Sequence, residues 1–126
     1  SIDPSITWAA GAVISDLYDL KAWVRAPATG DLLSGETQSA MLQWVDIHPP
    51  QATFLMGPGI PWDHGFLGHN GEFSGYQTSA LYLPGAGATI IVLVNRVGTA
   101  EAVDTLSREP AQYLFPEERA GARLLP

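Results

Sequence analysis

Cysteine is absent from these 126 residues, lysine occurs once, and no apolar run approaches the length of a membrane helix. The first absence excludes disulfides, thiolate nucleophiles and Cys-ligated zinc, and leaves the redox compartment undetermined. Lys21 and the arginines together number 6, against 13 Asp plus Glu, for a net charge of −7. A chain this acidic repels phosphate backbones and has no basic stripe to offset that, so nucleic acid is not an expected partner. A spanning helix needs roughly 20 consecutive apolar residues, so none is expected here. No basic start, apolar core and small-residue cleavage site mark an export signal.

What is present suits one globular unit. An apolar fraction of 46% is ordinary for a packed domain, while 13 Gly and 10 Pro imply many turns. Residues 1–126 read as a single domain or fragment: a helical part over 8–50, antiparallel strands over 51–95, a C-terminal helix over 99–115 and a tail over 116–126. Ser15 is the expected N-cap of a first helix over 16–26, in which Leu17, Leu20, Trp23 and Val24 recur at helical spacing. Pro27 is expected to end or kink it, and Gly30 to stop it. Ser34 is a second candidate cap, and Ala40, Met41, Trp44 and Val45 form the apolar stripe of a second helix that His48-Pro49-Pro50 terminates.

Strand candidates follow at 52–56 and 66–70, separated by a turn-rich passage over 57–65. A third, at 76–83, alternates in period two. Pro84-Gly85-Ala86-Gly87 reads as a hairpin connection to 88–94, a nearly all-apolar, largely β-branched run expected to be covered on both faces. Thr99 is the expected cap of the last helix, with Ala102, Val103 and Leu106 on one side and Pro110 interrupting it. Two helices, an antiparallel meander and a returning helix make an α+β arrangement: an antiparallel sheet with two N-terminal helices and a C-terminal helix packed on it.

The most informative stretch is Gly68-His69-Asn70-Gly71-Glu72-Phe73-Ser74-Gly75-Tyr76, followed by two strands that end at Val94-Asn95. His69 between glycines resembles the third motif, H-x-G, of the serine β-lactamase and penicillin-binding-protein-like family. The similar branch holds class C β-lactamases, D-alanyl-D-alanine carboxypeptidases and esterases. Upstream, Ala10-Gly11 with Ser15 and Asp19-Leu20 resembles the family's G-x-x-x-S-x-x-x-D-L helix entry, and Leu32-Leu33-Ser34 with Glu36-Thr37 fits the next loop. The resemblance covers most of residues 8–115. It implies a partial β-lactamase-like fold lacking the N-terminal strands and the nucleophile helix, and an extracytoplasmic location.

The motif has a physical rationale in such enzymes. The nucleophile is the serine of S-x-x-K, whose proton is shuttled by that lysine and the tyrosine of Y-x-N. The H-x-G strand forms the opposite wall. By position, the resemblance makes His69 the motif histidine, Gly71 the residue that lets a substrate lie close, and the Glu72 amide one of two oxyanion donors. His69, Asn70, Gly71 and Tyr76 are the implied substrate-binding residues, and no cofactor is implied. Neither S-x-x-K nor Y-x-N occurs in the sequence: the residue three before Lys21 is Tyr18, and no tyrosine has Asn two positions on. The implied reading is the C-terminal part of a serine hydrolase that does not turn over alone. Its substrate, once completed, would be a D-amino-acid peptide, a β-lactam or a small ester. The alternative is a non-catalytic binding or interaction module with the same sheet.

Other candidates have plainer readings. Asp63-His64, His69, His48 and Asp46 have no recognised metal-ligand spacing, which favours turn and surface roles. Trp62 is either a cleft residue or a buried sheet aromatic, and Ser74 lies in a turn with no base placed near it. In the parent fold the last strand pairs with an N-terminal strand, so 88–94 is expected to show an unpaired edge. Such an edge invites self-association or a missing N-terminal half.

Overall fold

A computed structural model describes residues 3–47, 54–73, 75–96 and 100–116. The chain opens on a 3-10 helix, Pro4–Ala10, kinked at Trp8, which takes φ 45°. Asp3 caps it by accepting from the Ser5 amide at 2.9 Å, and the Ser5 backbone and hydroxyl hold this exposed carboxyl below the usual carboxylate range.

Helix α1 spans Leu17–Thr29. Its cap is Asp16 rather than Ser15: the Asp16 carboxylate accepts from the amides of Tyr18 and Asp19 at 2.8 and 3.0 Å. A carboxylate satisfies two of the orphan donors at the positive end of the helix, which a hydroxyl one residue earlier cannot do. Pro27 does not end α1. It removes only the donor aimed at the Trp23 carbonyl, and Trp23 is 63% exposed, where water can serve that oxygen. The stop comes at Gly30, in the left-handed region at φ 81°. The Asp31 amide bonds back to the Ala26 carbonyl, closing a Schellman turn. The Gln38 side-chain amide donates to the Pro27 carbonyl and ties the next helix to this end.

Helix α2, Gly35–Met41, starts at Ser34 as expected but ends early, so Trp44 and Val45 leave the helix. Trp44 donates from its indole to the Ile60 carbonyl at 3.2 Å, and Val45 opens strand β1, Val45–Asp46. The sheet then runs through β2 (Phe54–Met56), β3 (Pro61–Asp63), β4 (Phe66–Phe73), β5 (Tyr76–Leu83) and β6 (Ala88–Val94). All neighbours pair antiparallel, in sequence order. The turn-rich passage thus contains a strand, β3, whose hairpin to β4 turns on His64 and Gly65 at φ 48° and 93°. Two positive φ values in a two-residue turn match the strand twist.

Helix α3 spans Ala100–Leu114 and runs through Pro110 unbroken. As with Pro27, the lost donor faces an exposed residue, Leu106. The expected cap Thr99 and the 117–126 tail lie outside the described residues.

The sheet separates two apolar layers. On one face Val24 of α1 packs on Ala80 and Tyr82, with Ala28 and Ile91 beside them. On the other, Ala111 of α3 packs on Phe66 and Leu83, with Leu81, Ala88, Ile90 and Phe115 around them. A third cluster of Leu55, Ile60, Trp62 and Leu67 fills the β2–β4 end under Met41, Leu42 and Trp44, so Trp62 is core. Strand β6 meets both layers but is half-buried rather than enclosed, because it is the last strand of the sheet and pairs only with β5 among the described residues.

Candidate functional site

The unusual feature of the sheet is where β3 stops. It meets β4 at Trp62↔Leu67 and Asp63↔Phe66, whereas β4 continues to Phe73. From Gly68 onward the outer edge of β4 therefore has no strand partner among the described residues. Its inner edge stays in register with β5, from Leu67↔Tyr82 to Phe73↔Tyr76.

Gly68 makes this geometry possible. At φ 148° it occupies a conformation that L side chains rarely adopt, and a Cβ there would lie 2.1 Å from the Ala80 carbonyl oxygen. The two strands approach too closely for any side chain at that point. Gly71 is the opposite case, since a Cβ there would meet nothing within 4 Å. Its surroundings are open.

Alternation then divides the motif between the two faces. His69 and Gly71 register with Ala80 and Thr78, on the α1 side. There they border a groove of about 530 Å³ whose other walls include Leu20, Trp23 and Val24 of α1. His69 is exposed, its Nδ1 against the Asn70 carbonyl. Asn70 and Glu72 project toward α3. The Asn70 carboxamide donates to Asp104, 3.2 and 3.3 Å from its two carboxylate oxygens. Glu72 accepts from Gln77 at 2.9 Å across the strand pair. Asn70 therefore offers the groove its backbone while its side chain is engaged behind the wall.

Tyr76 stands apart. It is 63% exposed at the hairpin end of β5 and does not line the groove. Ser74 lies outside the described residues. Asp63 and His64 sit on the far side, where Arg108 of α3 bridges Asp63 at 2.5 Å and His64 also contacts it. Among the described residues no group of three or more His, Asp or Glu comes together to hold a metal. No helix among them is long and apolar enough to cross a membrane.

On the α3 face of the sheet lies a buried polar seam that no motif announces. Ser79, 1% exposed, donates to Ser107, 0% exposed, at 3.0 Å. The Ser107 hydroxyl in turn reaches the carbonyls of Val103 and Asp104 at 3.0 and 2.9 Å. Period-two alternation did put Ser79 on the face opposite Ala80, but only the placement of α3 shows what it meets.

A family model for Beta-lactamase matches residues 2–114, and the chain belongs to that family. It is also similar to the crystal structure of a D-stereospecific amidohydrolase from Streptomyces sp., at 27% identity and a TM-score of 0.73. That match covers 87% of this chain and 34% of the amidohydrolase. The chain thus spans about a third of the relative's length.

Proposed function

We propose that these residues form one wall of an acyl-transfer site for amides, lactams or esters, facing a serine nucleophile contributed from outside them. One observation carries this reading: the open outer edge of β4 coincides with His69, the unobstructed Gly71 and the groove. A substrate backbone laid along that edge finds a strand with no strand partner among the described residues, beside a position with no side chain to obstruct it. The Glu72 amide is the assigned oxyanion donor, a role typically worth about 3 kcal/mol of barrier per donor. His69 supplies the polar side chain nearest the reacting carbonyl. By the family relation the protein works outside the cytoplasm.

The test compares this chain alone with an intact protein in which a serine-bearing N-terminal half is joined to it. A chromogenic cephalosporin and a p-nitrophenyl ester should be hydrolysed at background rates by residues 1–126, and with an acyl-enzyme burst by the intact protein. Serine-dependent turnover by the 126 residues alone would refute the division of labour. Binding of peptidoglycan-like peptides without turnover in either form would favour a non-catalytic module instead.

A further inference from the structure

Gly71 lies on a stretch of strand with little of its own to hold it. It has no side chain, a Cβ there would meet nothing within 4 Å, and β3 has already stopped at Asp63. Its two neighbours supply the anchorage. Asn70 and Glu72 both project toward the α3 face, and each is tied there by a side-chain hydrogen bond. Asn70 donates to Asp104 at 3.2 and 3.3 Å, and Glu72 accepts at 2.9 Å from Gln77, its register partner on β5.

The Asn70 tie belongs to a closed circuit. Asn70 is paired in register with Ser79, so the two side chains leave the same face of adjacent strands. Ser79 donates to Ser107 at 3.0 Å, and the Ser107 hydroxyl reaches the Asp104 carbonyl at 2.9 Å. The Asp104 carboxylate then completes the loop back to Asn70. The buried Ser79–Ser107 contact fixes α3 against β5, which leaves little further freedom to be lost when Asn70 meets Asp104.

We infer that Asp104 is a positioning residue: through Asn70 it holds the backbone of Gly71 and Glu72 where a reacting carbonyl is received. The role rests on the acyl-transfer reading and deepens it by naming what fixes the wall. Asp104 touches no substrate, because α3 packs on the face opposite the groove and Asp104 does not line it. An oxyanion donor must be aimed before charge develops, and a misplacement of about 1 Å can cost about a hundredfold in rate.

The experiment reads backbone order in the 126-residue chain and turnover of a p-nitrophenyl ester by the intact protein. Asp104→Leu removes the acceptor for Asn70, whereas Asp104→Asn keeps one. In Asp104→Leu the amide order parameters of Gly71 and Glu72 should fall from about 0.85 to about 0.6 or lower. In the intact protein kcat should drop about tenfold or more with KM within about twofold, the signature of an interaction felt in the transition state alone. Asp104→Asn should restore both readouts. Arg108→Leu breaks the bridge to Asp63 one turn further along α3, and as the control it should lower stability while leaving both readouts at parent values. An Asp104→Leu variant that behaves like this control, less stable but with order and kcat unmoved, would overturn the inference. A loosened strand with full kcat would overturn it as well. No turnover by the intact parent would instead overturn the acyl-transfer reading, while the order parameters still report whether Asp104 holds the strand.

Discussion

Ser79 on β5 and Ser107 on α3 meet with their hydroxyl oxygens 3.0 Å apart, both excluded from solvent. The pair is a polar pin between sheet and helix, directly behind the strand that neighbours His69. A buried hydroxyl that loses its partner bears the full desolvation penalty, whereas removing both partners does not. Ser107→Ala should therefore destabilise the fold by about 1–3 kcal/mol, and Ser79→Ala/Ser107→Ala by less than the sum of the two single changes. Urea unfolding of the four proteins in the cycle checks this. Strict additivity would mean that the hydroxyls do not depend on each other.

Gly68 and Gly71 separate stability from function within four residues. Gly68→Ala drives a methyl into the Ala80 carbonyl in a backbone conformation that L residues avoid. It should cost about 2 kcal/mol or more, since neither strand can retreat without breaking the ladder. Gly71→Ala meets open space and should stay within about 0.5 kcal/mol of the parent. In the intact protein it should nonetheless lower turnover roughly tenfold or more, because the methyl displaces substrate from the strand. Thermal melts and kcat/KM measured side by side decide the matter, and a Gly71→Ala variant with full activity would show that substrate does not lie there.

The start of α1 offers a sharp local test. Asp16 accepts two amide bonds, while the Ser15 hydroxyl reaches only the Asp16 carbonyl, at 3.4 Å. Asp16→Ala should cost about 1 kcal/mol and Ser15→Ala should be nearly silent. Chemical denaturation of the two variants distinguishes them, and the reverse ranking would move the cap back to Ser15.

Among the described residues, strand β6 lacks the usual protections of a sheet edge. Ala88–Val94 carries no charge and no proline, and its register with β5 is unbroken from Leu83↔Ala88 to Gln77↔Val94. Such an edge recruits another strand. The 126-residue chain should therefore self-associate with rising concentration. Leu93→Lys, at a position already 44% exposed, should shift it toward monomer. Sedimentation velocity over a hundredfold concentration range measures both, and a parent chain that stays monomeric throughout would count against the edge as a contact.

Where local pattern and tertiary context agree, the sequence was easily read. Strands β5 and β6 fall at 76–83 and 88–94 as alternation and β-branching imply, because turn residues bound both and long-range pairing merely confirms the period. The H-x-G stretch is legible as a strand at a sheet edge because glycines around a histidine suit close backbone approach. Errors arose where a few residues depend on partners far away. Strands β1 and β3, of two and three residues, carry no periodicity of their own and exist through β2 and β4. Spacing places Trp44 in α2, yet its indole finds a partner in Ile60, sixteen positions on. Pro27 and Pro110 would be expected to disrupt helices, but each leaves a donor missing opposite an exposed residue, Trp23 or Leu106. At Asn70, no local signal reveals that Asp104, thirty-four positions on, accepts from its side chain.

The central claim is that the β4 edge receives the reacting carbonyl, with the Glu72 amide taking its developing charge. A crystal structure of these residues joined to the proposed serine-bearing half, with that serine phosphonylated by an inhibitor that mimics the tetrahedral intermediate, measures this directly. A phosphonyl oxygen about 3 Å from the Glu72 nitrogen, with the inhibitor chain running beside Gly71, is the predicted result. An adduct whose oxygen is held by other donors, with β4 untouched, would contradict it.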